Sequence, residues 1–183
     1  MKPTVYVFIV LLTGMHVSAQ EKAFKTLDVV PSVDMLRYIG TWYEIARLPN
    51  RFQEKCAGDV TATYSILDNG EIMVVNRCRQ ENGEITEAEG RARRASDEGP
   101  NTKLKVRFAP AFLSLLPFVW GDYWIIDLAP DYSYAVVSEP ERKYLWILAR
   151  SQEMDEELFG EILGRVRSRG YDITSLIRTK HTR

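Results

Sequence analysis

The stretch Val60–Cys78 reads VTATYSILDNGEIMVVNRC, two alternating runs about an Asp68-Asn69-Gly70 turn. Val60, Ala62, Tyr64 and Ile66 fall on one side of an extended chain, with Thr61, Thr63 and Ser65 on the other. A period of two with one apolar face marks a strand that is buried on one side and wet on the other. Asn-Gly between two such runs predicts a tight hairpin. Centred near residue 69, the hairpin sets Tyr64 opposite Val74, Ala62 opposite Asn76 and Val60 opposite Cys78, all on one inner face.

The rhythm continues in both directions. Thr41–Leu48 precedes the hairpin, and Ile85–Arg94, Lys103–Phe108, Tyr123–Leu128, Tyr134–Val137 and Tyr144–Ala149 follow it. Gln80-Glu81-Asn82-Gly83 and Ser96–Asn101 supply turn residues between them. Leu104, Val106 and Phe108 again oppose Lys103, Lys105 and Arg107. Eight short strands with short connections predict an all-β fold, an eight-stranded antiparallel up-and-down β-barrel around an apolar interior. One helix follows. Asp155 is placed as its N-cap, Met154 and Phe159 are spaced as a hydrophobic staple, and Gly170 stands at the C-terminal cap. Leu158, Phe159, Ile162, Leu163 and Val166 form one stripe, which predicts a helix packed outside the sheet.

Lys2, the apolar run Val5–Leu12 and the small residues Val17-Ser18-Ala19 predict a cleaved secretory signal over residues 1–19. The remainder, residues 20–183, is the size of one domain, with its core over 32–178. No cysteine stands near the cleavage point, so a lipoprotein anchor is not expected; the chain should be soluble in the periplasm or secreted. A formal net charge of −1 argues against a nucleic-acid footprint. Cys56 and Cys78 are the two cysteines. In an oxidising compartment an even pair reads as a disulfide, with a free thiol as the alternative. Strict hairpin register puts Cys78 nearer Val60 than Cys56, and Ala57-Gly58 would let the chain curl back.

Gly40-Thr41-Trp42-Tyr43-Glu44-Ile45-Ala46-Arg47 resembles the Gly-x-Trp signature on the first strand of the lipocalin family, in the form found in bacterial lipocalins and apolipoprotein D. Asp131-Tyr132, followed by Tyr134, is similar to the family's Thr-Asp-Tyr motif, with Pro130 in place of the threonine. Arg150 resembles the arginine closing the last strand. The likeness covers roughly residues 32–178. In an up-and-down barrel Gly40, Trp42, Asp131, Tyr132 and Arg150 all fall at one end, where Arg150 would lie over Trp42 and close the barrel. These motifs carry structure, not catalysis.

The opposite end should be the mouth, ringed by Leu48–Gly58, Gln80–Glu84, Ala109–Gly121 and Glu139–Lys143. The third loop is almost wholly apolar: Phe112, Leu113, Leu116, Phe118 and Trp120 would form a lid, a transient membrane contact or a dimer contact. The chain is read accordingly as a monomer or homodimer. Tyr64, Asn76 and Trp146 are the pocket residues that the resemblance implies; Phe108, Tyr123 and Tyr144 are added from the strand pattern. Such a lining suits a small hydrophobic ligand, a fatty acid or lysophospholipid. Arg47, Arg51, Lys55, Arg77 and Arg79 lie near the mouth as solvated charge or as a seat for an anionic head group.

An enzyme would need a catalytic group. His16 lies in the signal and His181 in what the sequence reads as a frayed tail, which leaves no histidine in the barrel for a nucleophilic dyad or a metal. A free thiol or an inward Glu44 or Glu89 would be the remaining candidates. No cofactor and no metal site are expected. The alternatives to carriage are a lipocalin-like enzyme on a lipophilic substrate and a partner-binding module using the apolar loop.

Overall fold

A computed structural model describes residues 26–109, 111–113 and 116–182. The expected signal lies outside the described residues. Eight strands run in order: β1 (Gly40–Arg47), β2 (Cys56–Ile66), β3 (Ile72–Gln80), β4 (Ile85–Arg94), β5 (Lys103–Arg107), β6 (Gly121–Leu128), β7 (Tyr134–Ser138) and β8 (Leu145–Ala149). Each pairs antiparallel with the next, and β1 pairs with both β2 and β8, so the sheet closes on itself. The hairpin register is the one expected near its turn, with Tyr64 opposite Val74 and Ala62 opposite Asn76. Past Thr61 it shifts twice, as two bulges in β2 move the partner of Cys56 to Gln80. These bulges let Cys56 reach Cys78, and the disulfide forms with Cα atoms 5.6 Å apart.

Alternation along the strands separates two cores. Inside the barrel Trp42, Tyr64, Val74, Ala92, Leu104, Ile125, Val137 and Leu148 pack together. Outside it, Ile45, Ile126, Val136 and Ile147 meet the helix α2 (Glu156–Ser168) through Phe159, Ile162 and Val166. Burying each of those three side chains is worth about 1.5–3 kcal/mol, which holds the helix to the wall. The helix begins as its sequence dictates: the Asp155 carboxylate accepts from the amides of Glu157 and Leu158, each at 3.0 Å. It ends at Gly170, whose φ of +90° a side chain would resist.

Two elements escape the periodicity reading. The four-residue helix α1 (Met35–Tyr38), capped by Asp34, plugs the barrel just before β1. A short strand β9 (Ile177–Arg178) follows α2 and pairs with the far half of β1. There β1 has left β2, and the tail fills the gap. Thr179 donates its amide to Ile45, and the amide of Asp59 donates to Lys180, at 3.0 and 2.8 Å. His181 is therefore not frayed as the sequence suggested. Its side chain is buried, edge-on to Tyr43, with Nε2 2.8 Å from the carbonyl of Glu44. The Asp59 carboxylate takes bonds from Thr182 and Arg79. Burial works to raise its pKa, but these bonds prevail and hold it below the usual carboxylate range.

Candidate functional site

At the closed end Trp42 is fully buried and donates its indole N–H to the carbonyl of Tyr38 at 2.8 Å. The Arg150 guanidinium lies 3.8 Å from the centre of the Trp42 indole. It donates to four backbone carbonyls, those of Arg37, Tyr38, Ile39 and Thr41. A planar cation with several donors can satisfy these carbonyls and cover the ring at once, which an ammonium cannot. Gly40 has a φ of +95°, and a Cβ there would stand 3.4 Å from Arg150. Tyr132 accepts from the amide of Asp34 at 2.8 Å, and the Arg37 guanidinium lies over its ring at 4.0 Å. Asp131 is exposed and caps its own turn, accepting from the amide of Ser133. This seals one end.

Toward the other end the interior opens. On β4 the pairings with β3 turn Ala92, Gly90, Ala88 and Thr86 inward, opposite Ile72, Val74, Asn76 and Cys78. Ala92 and Gly90 are buried, yet Ala88 is exposed although it faces into the barrel. Tyr123, Trp146 and Asn76 are likewise only half-buried. A wall of small residues that turns from buried to exposed along one strand describes a cup. Phe108 bends over Gly90, where a Cβ would meet its ring at 2.8 Å, and is itself 44% exposed.

Aromatic groups line the cup at two depths. Near the mouth Tyr144 stacks on Trp146, with ring centres 5.9 Å apart, and Phe52 packs on Tyr144. The Trp146 indole N–H donates to Gln53 at 2.7 Å, and Gln53 in turn donates to Glu44. Deeper in, the hydroxyl of Tyr123 lies 2.7 Å from that of Tyr38 and 2.9 Å from that of Tyr64. Burial pushes the Tyr64 phenol up to about 12 and holds Tyr38 and Tyr123 well above 10, so all three are neutral hydrogen-bonding groups at ordinary pH. Sequence reasoning missed Tyr38, Gln53 and the small row on β4. The last was readable in the alternation of Thr86, Ala88, Gly90 and Ala92 with Glu87, Glu89 and Arg91.

The phenylalanine rings of the apolar loop are largely bare. Phe112 and Phe118 are 81% and 80% exposed, Leu116 is exposed and Leu113 half-buried. Trp120 stands on the outer wall, its ring 4.2 Å from the Arg93 guanidinium and 5.2 Å from that of Arg107. Of the basic residues expected near the mouth, three have carboxylate partners: Arg47 binds Glu44, Arg77 binds Glu87 and Arg79 binds Asp59. Arg51 lies against the ring of Phe52, and Lys55 is exposed.

The groups named as catalytic candidates all have partners in the structure. Both thiols are spent in the disulfide. Glu89 faces outward and pairs with Arg91, a correction to the inward placement. Glu44 is buried but held by Arg47, Gln53 and Thr179. Among the described residues no cluster of His, Cys, Asp and Glu could hold a metal.

The lipocalin-like domain model matches residues 33–181. The chain is 42% identical over 156 residues to temperature-induced lipocalin-1 of Arabidopsis thaliana, covering 85% of this chain and 83% of that protein. It is 37% identical over 152 residues to the outer membrane lipoprotein Blc of Escherichia coli K12, covering 82% and 81%, and 29% identical to mouse apolipoprotein D, covering 96% and 94%. Among solved structures, insecticyanin from the tobacco hornworm Manduca sexta superposes with a TM-score of 0.63 at 24% identity, covering 86% of this chain and 87% of its own. Barrel, motifs and relatives agree: the chain belongs to the lipocalin family, whose barrels bind small hydrophobic ligands.

Proposed function

We propose that this protein binds and carries a fatty acid or lysophospholipid, with its acyl chain in the barrel and its head group at the mouth. The observation that carries the reading is the graded interior: inward positions of β4 pass from buried Ala92 to exposed Ala88, beside half-buried Asn76, Tyr123 and Trp146. Each buried methylene contributes about 0.8 kcal/mol before the costs of binding, so a long chain outweighs any single polar contact. The polar tips at the mouth are few, and most of its arginines already have carboxylates. Head-group selection is accordingly loose. A disulfide near the mouth fits an oxidising compartment, periplasmic or extracellular. The exposed Phe112 and Phe118 support transient contact with a lipid surface during loading.

Delipidated protein titrated with palmitic acid and with lysophosphatidylcholine should show saturable quenching of tryptophan fluorescence, since Trp146 lines the cup. Ala88→Trp, which fills the cup without touching the closed end, should weaken both ligands about tenfold or more, roughly the loss of two methylene contacts. If neither lipid quenches the native chain, carriage is wrong.

A further inference from the structure

The three phenols deep in the barrel have a proton count that their own contacts do not satisfy. Tyr38 enters from α1, Tyr64 from β2 and Tyr123 from β6, and their hydroxyls meet through Tyr123 at 2.7 and 2.9 Å. Three hydroxyls bring three protons. Two contacts use two of them, whichever way each bond points. The third O–H has no acceptor among the described residues. Its surroundings are aliphatic: Val74, Leu104, Ile125, Val137 and Leu148 belong to the same cluster. Arg150, whose charge acts on Tyr38 and Tyr64, is a donor already engaged with four backbone carbonyls and offers no lone pair. A buried donor without a partner in apolar surroundings is an unmet demand for an oxygen.

The demand is for a neutral oxygen. A carboxylate brought to this depth would shed its water and find one free donor and no free cation, so its head stays at the mouth. A ketone or ester carbonyl loses far less on leaving water and asks for the single bond on offer. Tyr123 is half-buried on the interior face, so the cluster borders the space that a ligand enters. We propose that the Tyr38–Tyr123–Tyr64 hydroxyl cluster is a binding site for a neutral carbonyl oxygen, by which the barrel selects lipophilic ligands that carry a ketone or ester at the end that enters first. The proposal rests on the reading of the barrel as a hydrophobic-ligand site and adds a selectivity to it.

The test compares methyl nonyl ketone with the alkene of the same skeleton, in which a methylene group replaces the carbonyl oxygen. Both are titrated by tryptophan fluorescence into the full chain and into the triple variant Tyr38→Phe/Tyr64→Phe/Tyr123→Phe. Removing all three hydroxyls together leaves the ring shapes in place and strands no partner, so the variant should fold. Because the two compounds differ in their attraction to water, the measured quantity is the ratio of ketone to alkene affinity, taken between the two proteins. That ratio should be about five- to tenfold higher in the native chain, the effect of one buried hydrogen bond. An equal ratio in both proteins, with the alkene still bound, overturns the carbonyl site and leaves the hydrophobic barrel standing. Failure of the native chain to bind either compound overturns both. If the triple variant does not fold, the infrared carbonyl stretch of methyl nonyl ketone bound to the native chain serves: it should fall below its frequency in an alkane solvent, as a hydrogen-bonded ketone does, and an unshifted stretch overturns the site.

Discussion

Tyr38, Tyr64 and Tyr123 place three ionisable groups where burial makes a phenolate costly, more than the nearby Arg150 charge offsets, and this governs the protein at high pH. Their folded pKa values stand above the unfolded value near 10, with Tyr64 at about 12. The folded state therefore holds these protons more tightly than the unfolded chain. Stability from this source is complete below pH 10 and is lost as pH climbs from there through 12 and beyond. Urea unfolding followed by circular dichroism should show the decline over that window, and the triple phenylalanine variant should show a flatter one. A parallel tyrosinate absorbance titration should find these phenols silent until the fold gives way. Two of the three residues were legible in the strand alternation. Tyr38 was not, because a helix of four residues is too short to show a period. Asp34 capping the amide of Leu36 is the only local sign of it.

At the scale of elements, the long alternating runs and α2 were legible because one physical period governs each of them. The tail was not. Ile177 and Arg178 form a strand of two residues, and what orders them is the gap that β1 and β2 leave between their ends. Tertiary context supplied the structure there, not local preference. Ending the chain at Leu176 removes the bonds to Ile45 and Asp59, the Thr179 contact with Glu44 and the packing of His181 on Tyr43. The truncated protein should lose about 2–4 kcal/mol in urea unfolding, on the order of 1 kcal/mol for each hydrogen bond given up. It also bares the ends of β1 and β2. Such edges pair with other chains, so dimers growing with concentration should appear in gel filtration. A truncated chain as stable and monomeric as the parent would refute this role for the tail.

For the whole molecule, closure of the barrel joins the far ends of the chain, and the Cys56–Cys78 bridge fixes the mouth side of that closure. The loop it closes spans 22 residues in sequence, for which the constraint on the unfolded chain is worth about 3 kcal/mol. Cys56→Ala with Cys78→Ala should lower the stability by roughly that amount while leaving the tyrosine cluster and its ligand preference in place, as seen by chemical unfolding and ketone titration. The architecture was legible because alternation, turn residues and three motifs each point to one barrel. What the cup contains was only partly so, since depth along a strand depends on bulges and curvature that composition does not encode. The sealing tail has a consequence for biosynthesis. β1 is made before every other strand of the barrel, yet its neighbours β8 and β9 come after all the rest, so the wall cannot be completed until the last of the strands has emerged. Until then the earliest strand is an open edge, and folding of this kind, dominated by distant pairings, is slow. A nascent chain of this protein is thus a natural client for whatever shields exposed strands between synthesis and closure.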